Sequence, residues 1–355
     1  MTGTQNILGN IRRGGIFAGL LGALSALAMT ASVHAADLKP IRIGVTHDAR
    51  SSPLFIAAAN GYFTQQGLKA EIDFFDTDAA IAEAAAAGRI EIGTADLAAP
   101  FFAAAIQHKF KLIAAQTSDQ TGFPVTALLV GKTAYEAGFR TLPDLAHKRI
   151  GMGDEGSGER YALAQTMARY KLAPGDLNLV WLSTPDRELA ALSKGEIDVA
   201  ILPDAIARQS QAATKDSFII RFSDFVQRQQ GALFATAPAI EADRPLIEKF
   251  IRAYQRGATD YEQAFLERDD GGDAIPGPHR DEYLTLLAQQ TGVAPNRLER
   301  SLPYCDRLAR LDVADIGNQL KFWQAEGLVD KQAAPADLLD LSFIGDQIGA
   351  PAKQN

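Results

Sequence analysis

The chain has 355 residues, of which 47% are hydrophobic and 22% are charged, a balance typical of a soluble globular protein of one or two domains. Asp and Glu number 43 against 35 Lys and Arg, and this acidic excess disfavours binding to nucleic acid or to an anionic membrane surface. The single cysteine, Cys305, excludes an internal disulfide, so an exported chain of this size must be held together by its core.

Residues 1–35 have the composition of an export signal. Arg12 and Arg13 precede an apolar run over 16–33 and a small-residue cleavage site, so we expect cleavage after Ala35. Loss of the two arginines takes the formal net charge from −8 to −10. A membrane anchor is the alternative, but this run contains Gly, Ser and Thr and is short for a membrane span. The paired arginines leave both general and twin-arginine export open.

The mature chain is expected in the periplasm. No cysteine follows the predicted cleavage site, so the sequence predicts no lipid anchor. A soluble exported protein stays close to a bacterial cell when an outer membrane encloses it.

The pattern over residues 41–116 predicts a doubly wound α/β lobe. Ser52 and Pro53 mark a helix start, because a capping oxygen is followed by a ring preset to helical φ. In chain order we predict strand 41–45, a helix from 52 to a stop at 60–61, strand 69–75, helix 79–87, a strand from 90, helix 97–108 and strand 111–116.

A second α/β lobe is predicted between two apolar strands, 125–131 and 231–235, which carry the chain out of the first lobe and back. Between them we predict helix 142–147, strand 149–152, helix 158–171, strand 177–182, helix 186–193, a strand from 197 and helix 204–213. From 244 the pattern is helical, interrupted by a Gly/Pro-rich loop at 271–278. The predicted boundaries are 1–35 for the signal peptide, 36–124 and 236–355 for the two parts of lobe 1, and 125–235 for lobe 2.

One local pattern occurs in both lobes. Residues 86–93 and 193–200 each lead from an Ala- and Leu-rich helix through a glycine into a short alternating run that contains an acid. Gly88 and Gly195 suit helix C-caps because glycine reaches positive φ without a steric cost. Two such units predict similar α/β lobes, whose strand ends face each other across a ligand cleft.

Residues 49–72, ARSSPLFIAAANGYFTQQGLKAEI, resemble the opening of the periplasmic solute-binding proteins of ABC importers, in the group for nitrate, sulfonates, taurine and thiamine-pyrimidine precursors. SKGEIDVAILPD at 193–204 is similar to the second signature of that family. KFWQAEGLVD at 321–330 and DLLDLSFI at 337–344 are similar to its closing helix and last segment. The resemblance covers nearly all of 39–345.

The resemblance implies a type II periplasmic binding protein fold, an α/β fold of two doubly wound lobes joined by two crossover strands. It implies that the lobes close on one small molecule and deliver it to an ABC permease powered by ATPase subunits. Closure would follow from population shift, because the ligand makes all its contacts only in the closed form.

The resemblance places ligand loops at 46–52, 93–97, 116–123, 153–160, 183–187 and 202–205. From these loops we predict twelve ligand contacts: His47, Arg50, Ser51, Ser52, Thr94, Asp96, Ser118, Gly156, Ser157, Gly158, Thr184 and Asp204.

Several of these residues have a structural alternative. Gly156, Ser157 and Gly158 open a helix whose free N–H groups and positive dipole end suit an anion, but Ser157 could equally cap that helix. Ser51 and Ser52 have the same two readings in lobe 1, while Asp96 and Asp204 could serve only as helix caps.

His47 and Arg50 lie on the strand-end loop of lobe 1. The planar fork of Arg50 suits a carboxylate or sulfonate, although a solvated loop charge is the alternative. His47 follows its strand instead of lying within it, which favours a ligand contact over a place in the core.

Asp154 and Glu155 depart from the expectation of an anion site. They lie in a loop predicted to face the ligand, where like charge repels a bare anion. Either they point outward or the ligand also carries an amine or amidine. The second case favours a zwitterion such as taurine, or an aminopyrimidine, over plain nitrate or an alkanesulfonate.

Gly151, Gly153 and Gly156 match the dinucleotide-binding fingerprint and raise the alternative of an NAD-dependent enzyme. Asp154 and Glu155 occupy the place of a pyrophosphate, and the predicted strand 177–182 does not end in an acid. Nicotinamide cofactors are also scarce outside the cytoplasm. We therefore predict no cofactor.

Hydrolytic and metal chemistry find little support. Residues 155–158, Glu-Gly-Ser-Gly, are one position out of step with the nucleophile elbow Gly-x-Ser-x-Gly. A fungal relative of the family makes a thiamine pyrimidine, but no clustered His and Cys set supports that chemistry here. The mature histidines lack the paired spacing of a zinc site: His47, His108, His147 and His279. We predict no metal site and no enzymatic activity.

The sequence thus predicts a monomeric periplasmic receptor for one small oxyanion-bearing organic molecule. Aliphatic sulfonates or taurine are favoured, thiamine-type pyrimidines follow, and nitrate or bicarbonate come third. The permease and its ATPase subunits are the expected partners, with no nucleic acid. A receptor that reports its ligand to a membrane kinase or chemoreceptor has the same sequence features, so delivery and sensing both remain open.

Overall fold

A computed structural model describes residues 38–214, 217–270 and 274–345, and the structural statements below concern these ranges. The predicted signal peptide, 1–35, lies outside them. Two five-stranded mixed sheets organise the described chain.

The first sheet has the strand order β2-β1-β3-β10-β4. β1 pairs in parallel with β2 and β3, and β10 runs antiparallel between β3 and β4. The strands are β1 (Lys39–Thr46), β2 (Leu68–Phe75), β3 (Ile92–Asp96), β4 (Phe110–Asp119) and β10 (Arg228–Thr236).

The second sheet repeats this arrangement with the order β7-β6-β8-β5-β9. β6 pairs in parallel with β7 and β8, and β5 runs antiparallel between β8 and β9. The strands are β5 (Thr126–Val130), β6 (Arg149–Met152), β7 (Asn178–Trp181), β8 (Val199–Pro203) and β9 (Phe218–Arg221). We call each sheet with its flanking helices a lobe.

Helices cover both faces of each sheet. On the first sheet, one core includes apolar residues of α1, α10 and α11, and the other includes those of α3, α4 and α13. On the second sheet, α6 packs on one face and α7 on the other. The helices are α1 (Ser52–Ala59), α2 (Tyr62–Gln65), α3 (Asp78–Ala86), α4 (Ala99–His108), α5 (Lys132–Glu136), α6 (Gly158–Arg169), α7 (Pro185–Ser193), α8 (Asp204–Thr214), α9 (Ala237–Ala242), α10 (Arg244–Phe265), α11 (Arg280–Thr291), α12 (Pro295–Leu298), α13 (Val313–Ala325) and α14 (Pro335–Leu338).

The chain passes between the sheets twice, at 120–125 and at 222–227. The two passages touch, because the Thr121 hydroxyl donates to the carbonyl of Ser223 at 3.1 Å. The predicted return strand, β10, pairs with β3 and β4 and so lies in the body of the first sheet. We therefore propose that the second lobe ends before 228 and not at 235.

One predicted element has a different form in the structure, and some elements were not predicted. The predicted helix 142–147 is a 3₁₀ turn over Leu142–Leu145, which begins after Thr141 and in which Asp144 accepts from the N–H of Thr141 at 2.8 Å. The sequence analysis did not predict α2, α5, α9 or β9. β9 completes the second sheet by pairing with β5.

Candidate ligand-binding site

A cavity of 760 Å³ lies where the two lobes meet. Alanines of α3 and α4 and the ring of Phe101 give it an apolar wall, and four carboxylates, from Asp78, Glu83, Asp96 and Asp154, line the remainder with His108. Gly156 and Ser157 close it from the second lobe. The cavity volume suits a small organic ligand.

The start of α6 rests directly on the start of α4. The N–H of Ala99 donates to the carbonyl of Gly156 at 2.9 Å, across the two lobes. A Cβ on Gly156 would lie 3.1 Å from Cδ of Pro100, so this approach has little room for a side chain. The lobes are thus in contact beside the cavity.

Ser157 is the N-cap residue of α6, yet its hydroxyl makes no capping hydrogen bond. Its Oγ is buried and has no partner within the described residues. A buried, unpaired hydroxyl is costly. Its position beside the cavity makes it available to a ligand.

Asp96 stands at the end of β3 and lines the cavity from the first lobe. Its N–H donates to Asp78 at 3.1 Å, while its own Oδ1 is buried and finds no partner among the described atoms. Burial raises the pKa of the Asp96 carboxyl to about 7, against the opposing effects of Arg50 and Arg228. Asp96 therefore exchanges a proton near neutral pH.

Arg228 connects the lobes beneath the cavity. It is 2% exposed; its Nε donates to Asp119 at 2.6 Å and its Nη1 to the carbonyl of Gly158 at 2.9 Å. Burial opposes its charge, but Asp119, Asp96 and Glu159 hold the pKa of Arg228 above its ordinary value. This guanidinium is therefore charged, and it is hydrogen-bonded to a residue of each lobe.

Arg50 occupies a neighbouring cavity of 400 Å³ that shares Asp78 with the larger one. It pairs with Asp48 at 2.8 Å and with Asp78 at 3.2 Å. Burial disfavours the charge of Arg50, and the facing carboxylates raise its pKa above the ordinary value nonetheless. The guanidinium of Arg50 is thus already paired with the carboxylates of Asp48 and Asp78.

Glu188 lies on α7 at the carboxyl-terminal edge of the second sheet. It is 2% exposed, and its Oε2 has no partner within the described chain. Burial raises its pKa to about 8; Glu159 reinforces this effect and a backbone hydrogen bond with Ile201 opposes it. A buried acid in this state is a marker of functional sites.

Among the predicted contacts in lobe 1, four more are engaged within the protein. The His47 ring stacks on Phe74 at 4.1 Å, and its Nδ1 lies 3.1 Å from the carbonyl oxygen of Gln290. The remaining three hydrogen bonds are those of Ser51, which accepts from Gln116 at 3.2 Å, Ser52, which donates to the Ala49 carbonyl at 2.7 Å, and Thr94, which donates to the Gly44 carbonyl at 3.5 Å.

Three other predicted contacts are also engaged within the protein. The Ser118 N–H donates to the Tyr304 carbonyl at 3.1 Å, and Thr184 caps α7. Asp204 is 1% exposed and pairs with two arginines of its own lobe, Arg208 at 2.7 Å and Arg221 at 3.0 Å. As ligand contacts, all three stay predictions.

The two acids that conflicted with an anion site differ in position. Asp154 lines the cavity and accepts from the Ser183 hydroxyl at 3.1 Å. Glu155 is exposed and lies 3.5 Å from Arg160. Of these two acids, only Asp154 adds its charge to that of Asp78, Glu83 and Asp96 on the cavity wall.

Sequence reasoning missed Arg228, Asp119 and Glu188. A weak signal existed for Arg228, since three polar residues, 228–230, directly precede an apolar strand. Nothing in the sequence separates Glu188 from a solvated helix acid.

The described residues contain no group of three or more His, Cys, Asp or Glu side chains arranged to hold a metal ion. Within the same ranges, no helix combines the length and hydropathy needed to cross a membrane.

Fold and site together define a two-lobed α/β protein with a cavity between its lobes, the architecture of the periplasmic binding proteins. Residues 48–263 match the family model described as NMT1/THI5 like. This match spans more than half of the chain, so the chain belongs to the NMT1/THI5-like family.

The comparisons with individual proteins agree with this assignment. The chain is 27% identical over 282 residues to the taurine-binding periplasmic protein of Escherichia coli (strain K12), covering 77% of this chain and 78% of the relative. The structure is similar to the periplasmic aliphatic sulphonate binding protein SsuA from Escherichia coli, with 16% identity, a TM-score of 0.66 and coverage of 89% and 95%. It is also similar to the alkanesulfonate-binding protein SsuA from Xanthomonas axonopodis pv. citri bound to MOPS, with 20% identity, a TM-score of 0.59 and coverage of 85% and 98%. At these identities the two structures establish the shared fold.

Proposed function

We propose that this protein is the periplasmic receptor of an ABC importer and binds a small oxyanion-bearing organic molecule between its lobes. Aliphatic sulfonates or taurine are the favoured ligands. The observation that carries the proposal is the buried, unpartnered hydroxyl of Ser157 at the start of α6, facing the interlobe cavity.

The start of α6 supplies the donors that an oxyanion needs. Helix N-termini present unpaired N–H groups and a partial positive charge, which together stabilise a bound anion. The Ser157 hydroxyl adds a second kind of hydrogen-bond donor at the same place. The 27% identical taurine-binding relative supports a sulfonate as the anion.

Contacts between the lobes support capture by closure. Hydrogen bonds from Ala99 to Gly156 and from Arg228 to Gly158 join the lobes beside the cavity. A ligand that touches both lobes favours this arrangement over an open one, since only here does it make all its contacts. Binding and release then require no chemical change to the ligand.

The proposed partners follow from the receptor role. An ABC permease with its ATPase subunits would take the ligand from a monomeric, periplasmic receptor that has been exported by a cleaved signal peptide. Lobe 1 of this receptor would comprise 36–124 together with β10 and the helical part that follows it, and lobe 2 the intervening segment that contains the second sheet.

A thermal-shift screen of the purified protein tests the ligand class. The panel contains taurine, alkanesulfonates, aminopyrimidines and nitrate. A ligand at a hundred times its dissociation constant adds about 2.7 kcal/mol of stability, which raises the melting temperature by several degrees. A shift with an aminopyrimidine and none with any sulfonate would overturn the favoured ligand.

Ser157→Asp tests the site itself. A carboxylate at the start of α6 repels a bound oxyanion, so affinity for a sulfonate should fall by at least tenfold while the fold persists. Thr133→Asp is the matched control, because Thr133 is exposed in the first turn of α5. Undiminished sulfonate affinity in Ser157→Asp would show that α6 does not hold the ligand.

A further inference from the structure

The carboxyl of Asp96 lies against the start of α6. A Cβ built on Gly158, the first residue of that helix, would be 3.6 Å from Oδ2 of Asp96. Asp96 and Ser157 also line the same cavity, one from each lobe. An oxyanion bound at the start of α6 would therefore lie beside this carboxyl.

Two buried polar atoms at this place lack a hydrogen-bond partner within the described residues. They are Oδ1 of Asp96 and Oγ of Ser157. Ser157 is the N-cap residue of α6 but makes no capping hydrogen bond, and the first N–H groups of a helix have no partner inside it. Buried polar groups without partners are costly, and a ligand that bonds to both atoms would remove this cost.

The two arginines that act on the charge of Asp96 are paired with other carboxylates. Arg50 precedes α1 and pairs with Asp78 at 3.2 Å. Arg228 lies on β10 and pairs with Asp119 at 2.6 Å. The positive charge near Asp96 is therefore largely balanced by other acids.

The surroundings of Asp96 disfavour a negative charge on its carboxyl. Burial raises the pKa of Asp96 to about 7, with Glu159 on α6 and Asp78 on α3 acting in the same direction and the two arginines against it. The cavity that Asp96 lines contains three more titratable side chains: Glu83, Asp154 and His108. A bound oxyanion adds a further negative charge beside Asp96, which favours the protonated carboxyl still more.

We infer that Asp96 binds the ligand oxyanion as a neutral carboxylic acid, donating a hydrogen bond from the first lobe while the Ser157 hydroxyl donates from the second. When Asp96 is ionised in the free protein, binding transfers one proton from solvent to its carboxylate, and no bond within the ligand changes. The inference rests on the proposed receptor function and narrows the ligand to a fully deprotonated oxyanion such as a sulfonate, which accepts hydrogen bonds and donates none.

Propane-1-sulfonate is the probe, because its sulfonate stays ionised at every pH used and it has no other group that titrates. Isothermal titration calorimetry in buffers of different ionisation enthalpy gives the number of protons taken up on binding. At pH 8 the free carboxyl is largely ionised, so uptake should approach one proton, whereas at pH 5.5 it is already protonated and uptake should be close to zero. The affinity should fall as the pH rises above about 7, by up to roughly tenfold per pH unit.

Asp96→Asn assigns the proton to this residue, because the amide keeps the shape of the neutral acid and a donor but does not titrate. The variant should take up no proton, and at pH 8 it should bind propane-1-sulfonate about as tightly as the unaltered protein does at pH 5.5. Glu155→Gln is the matched control, since Glu155 is an exposed acid just before α6 and its loss should leave the proton uptake unchanged. If Asp96→Asn fails to fold, the proton count of the unaltered protein still decides.

The outcomes separate this inference from the proposed function. Binding of propane-1-sulfonate without proton uptake at pH 8, or unchanged uptake in Asp96→Asn, overturns the inference while the receptor function stands. Binding of taurine but not of propane-1-sulfonate has the same consequence, because it shows that the carboxylates hold an ammonium. If neither sulfonate binds at either pH, the proposed sulfonate receptor fails and the inference fails with it.

Discussion

Replacing Glu188 by glutamine should remove a pH-dependent loss of stability from the unliganded protein. Burial, reinforced by Glu159, places the pKa of Glu188 at about 8 in the folded protein, against an ordinary value of 4.5. The folded state therefore binds the proton more tightly than the unfolded chain does. This contribution to stability is complete below pH 4.5 and is lost as the pH rises through about 8.

The size of the effect follows from the two pKa values. At 1.36 kcal/mol for each pKa unit, the separation between 4.5 and about 8 corresponds to a loss on the order of 5 kcal/mol. Solvent that reaches the carboxyl screens part of this charge, so about 5 kcal/mol is an upper limit for the loss. The neutral amide of Glu188→Gln does not titrate and should not show this loss.

Urea unfolding from pH 5 to pH 9 measures the difference directly. Unaltered protein and Glu188→Gln should have similar free energies of unfolding at pH 5, and the variant should become the more stable one as the pH rises. Glu196→Gln removes an exposed carboxylate of the same type and should follow the unaltered protein throughout. Parallel pH profiles for Glu188→Gln and the unaltered protein would refute the reasoning.

Three further substitutions test the packing around the site. Arg228→Met leaves the buried carboxylate of Asp119 unpaired, so the free energy of unfolding in urea titrations should fall by about 3–5 kcal/mol. Adding Asp119→Asn should restore most of this loss. Equal stability of the single and double variants would contradict this. Tyr161→Phe removes a 2.7 Å hydrogen bond from α6 to Asp315 on α13, which is worth about 1–3 kcal/mol. Because this bond favours the closed form, the variant should bind ligand more weakly in calorimetry. Unchanged affinity would show that the contact does not favour closure. Gly257→Ala would place a methyl 2.2 Å from a backbone oxygen of α1, so the free energy of unfolding should fall by about 1–3 kcal/mol. An unchanged urea midpoint would contradict this expectation.

Local sequence predicted most elements because their signals are short in range. Gly88 and Gly195 were expected at positive φ, and their φ values of 67° and 69° confirm it. Ser52 and Pro53 do begin α1, and the second repeated segment does lead into β8 and α8. In each case the deciding contacts involve neighbours a few residues away, which a sequence pattern captures.

The position of each strand within its sheet was harder to predict from the sequence. Residues 231–235 were recognised as a strand, but their apolar pattern does not tell a crossing segment from a strand inside a sheet. β10 is fully buried between β3 and β4, and those pairings bring together segments that are distant in the chain. Register of this kind depends on tertiary packing.

For the cavity, the sequence identified the helix start of α6 and the end of β3. It did not identify which charges are compensated. Asp204 was predicted as a ligand contact and pairs with two arginines. Glu188 carried no distinguishing signal in the sequence and is buried, and its Oε2 has no partner among the described residues. Whether a charged side chain has a partner depends on distances in the folded protein, since the residues concerned lie far apart along the chain.

The sequence by itself determined two repeated α/β units, their helix and strand order, an acidic net charge and an anion-suited helix start at Ser157. Those features follow from propensity, capping and hydrophobic period, all of which act over a few residues. Only the tertiary structure decided that Arg228 meets Asp119 across 109 residues and that Arg50 is already paired. It also left Glu188 unpaired, because burial and charge pairing depend on which surfaces the folded lobes bring together.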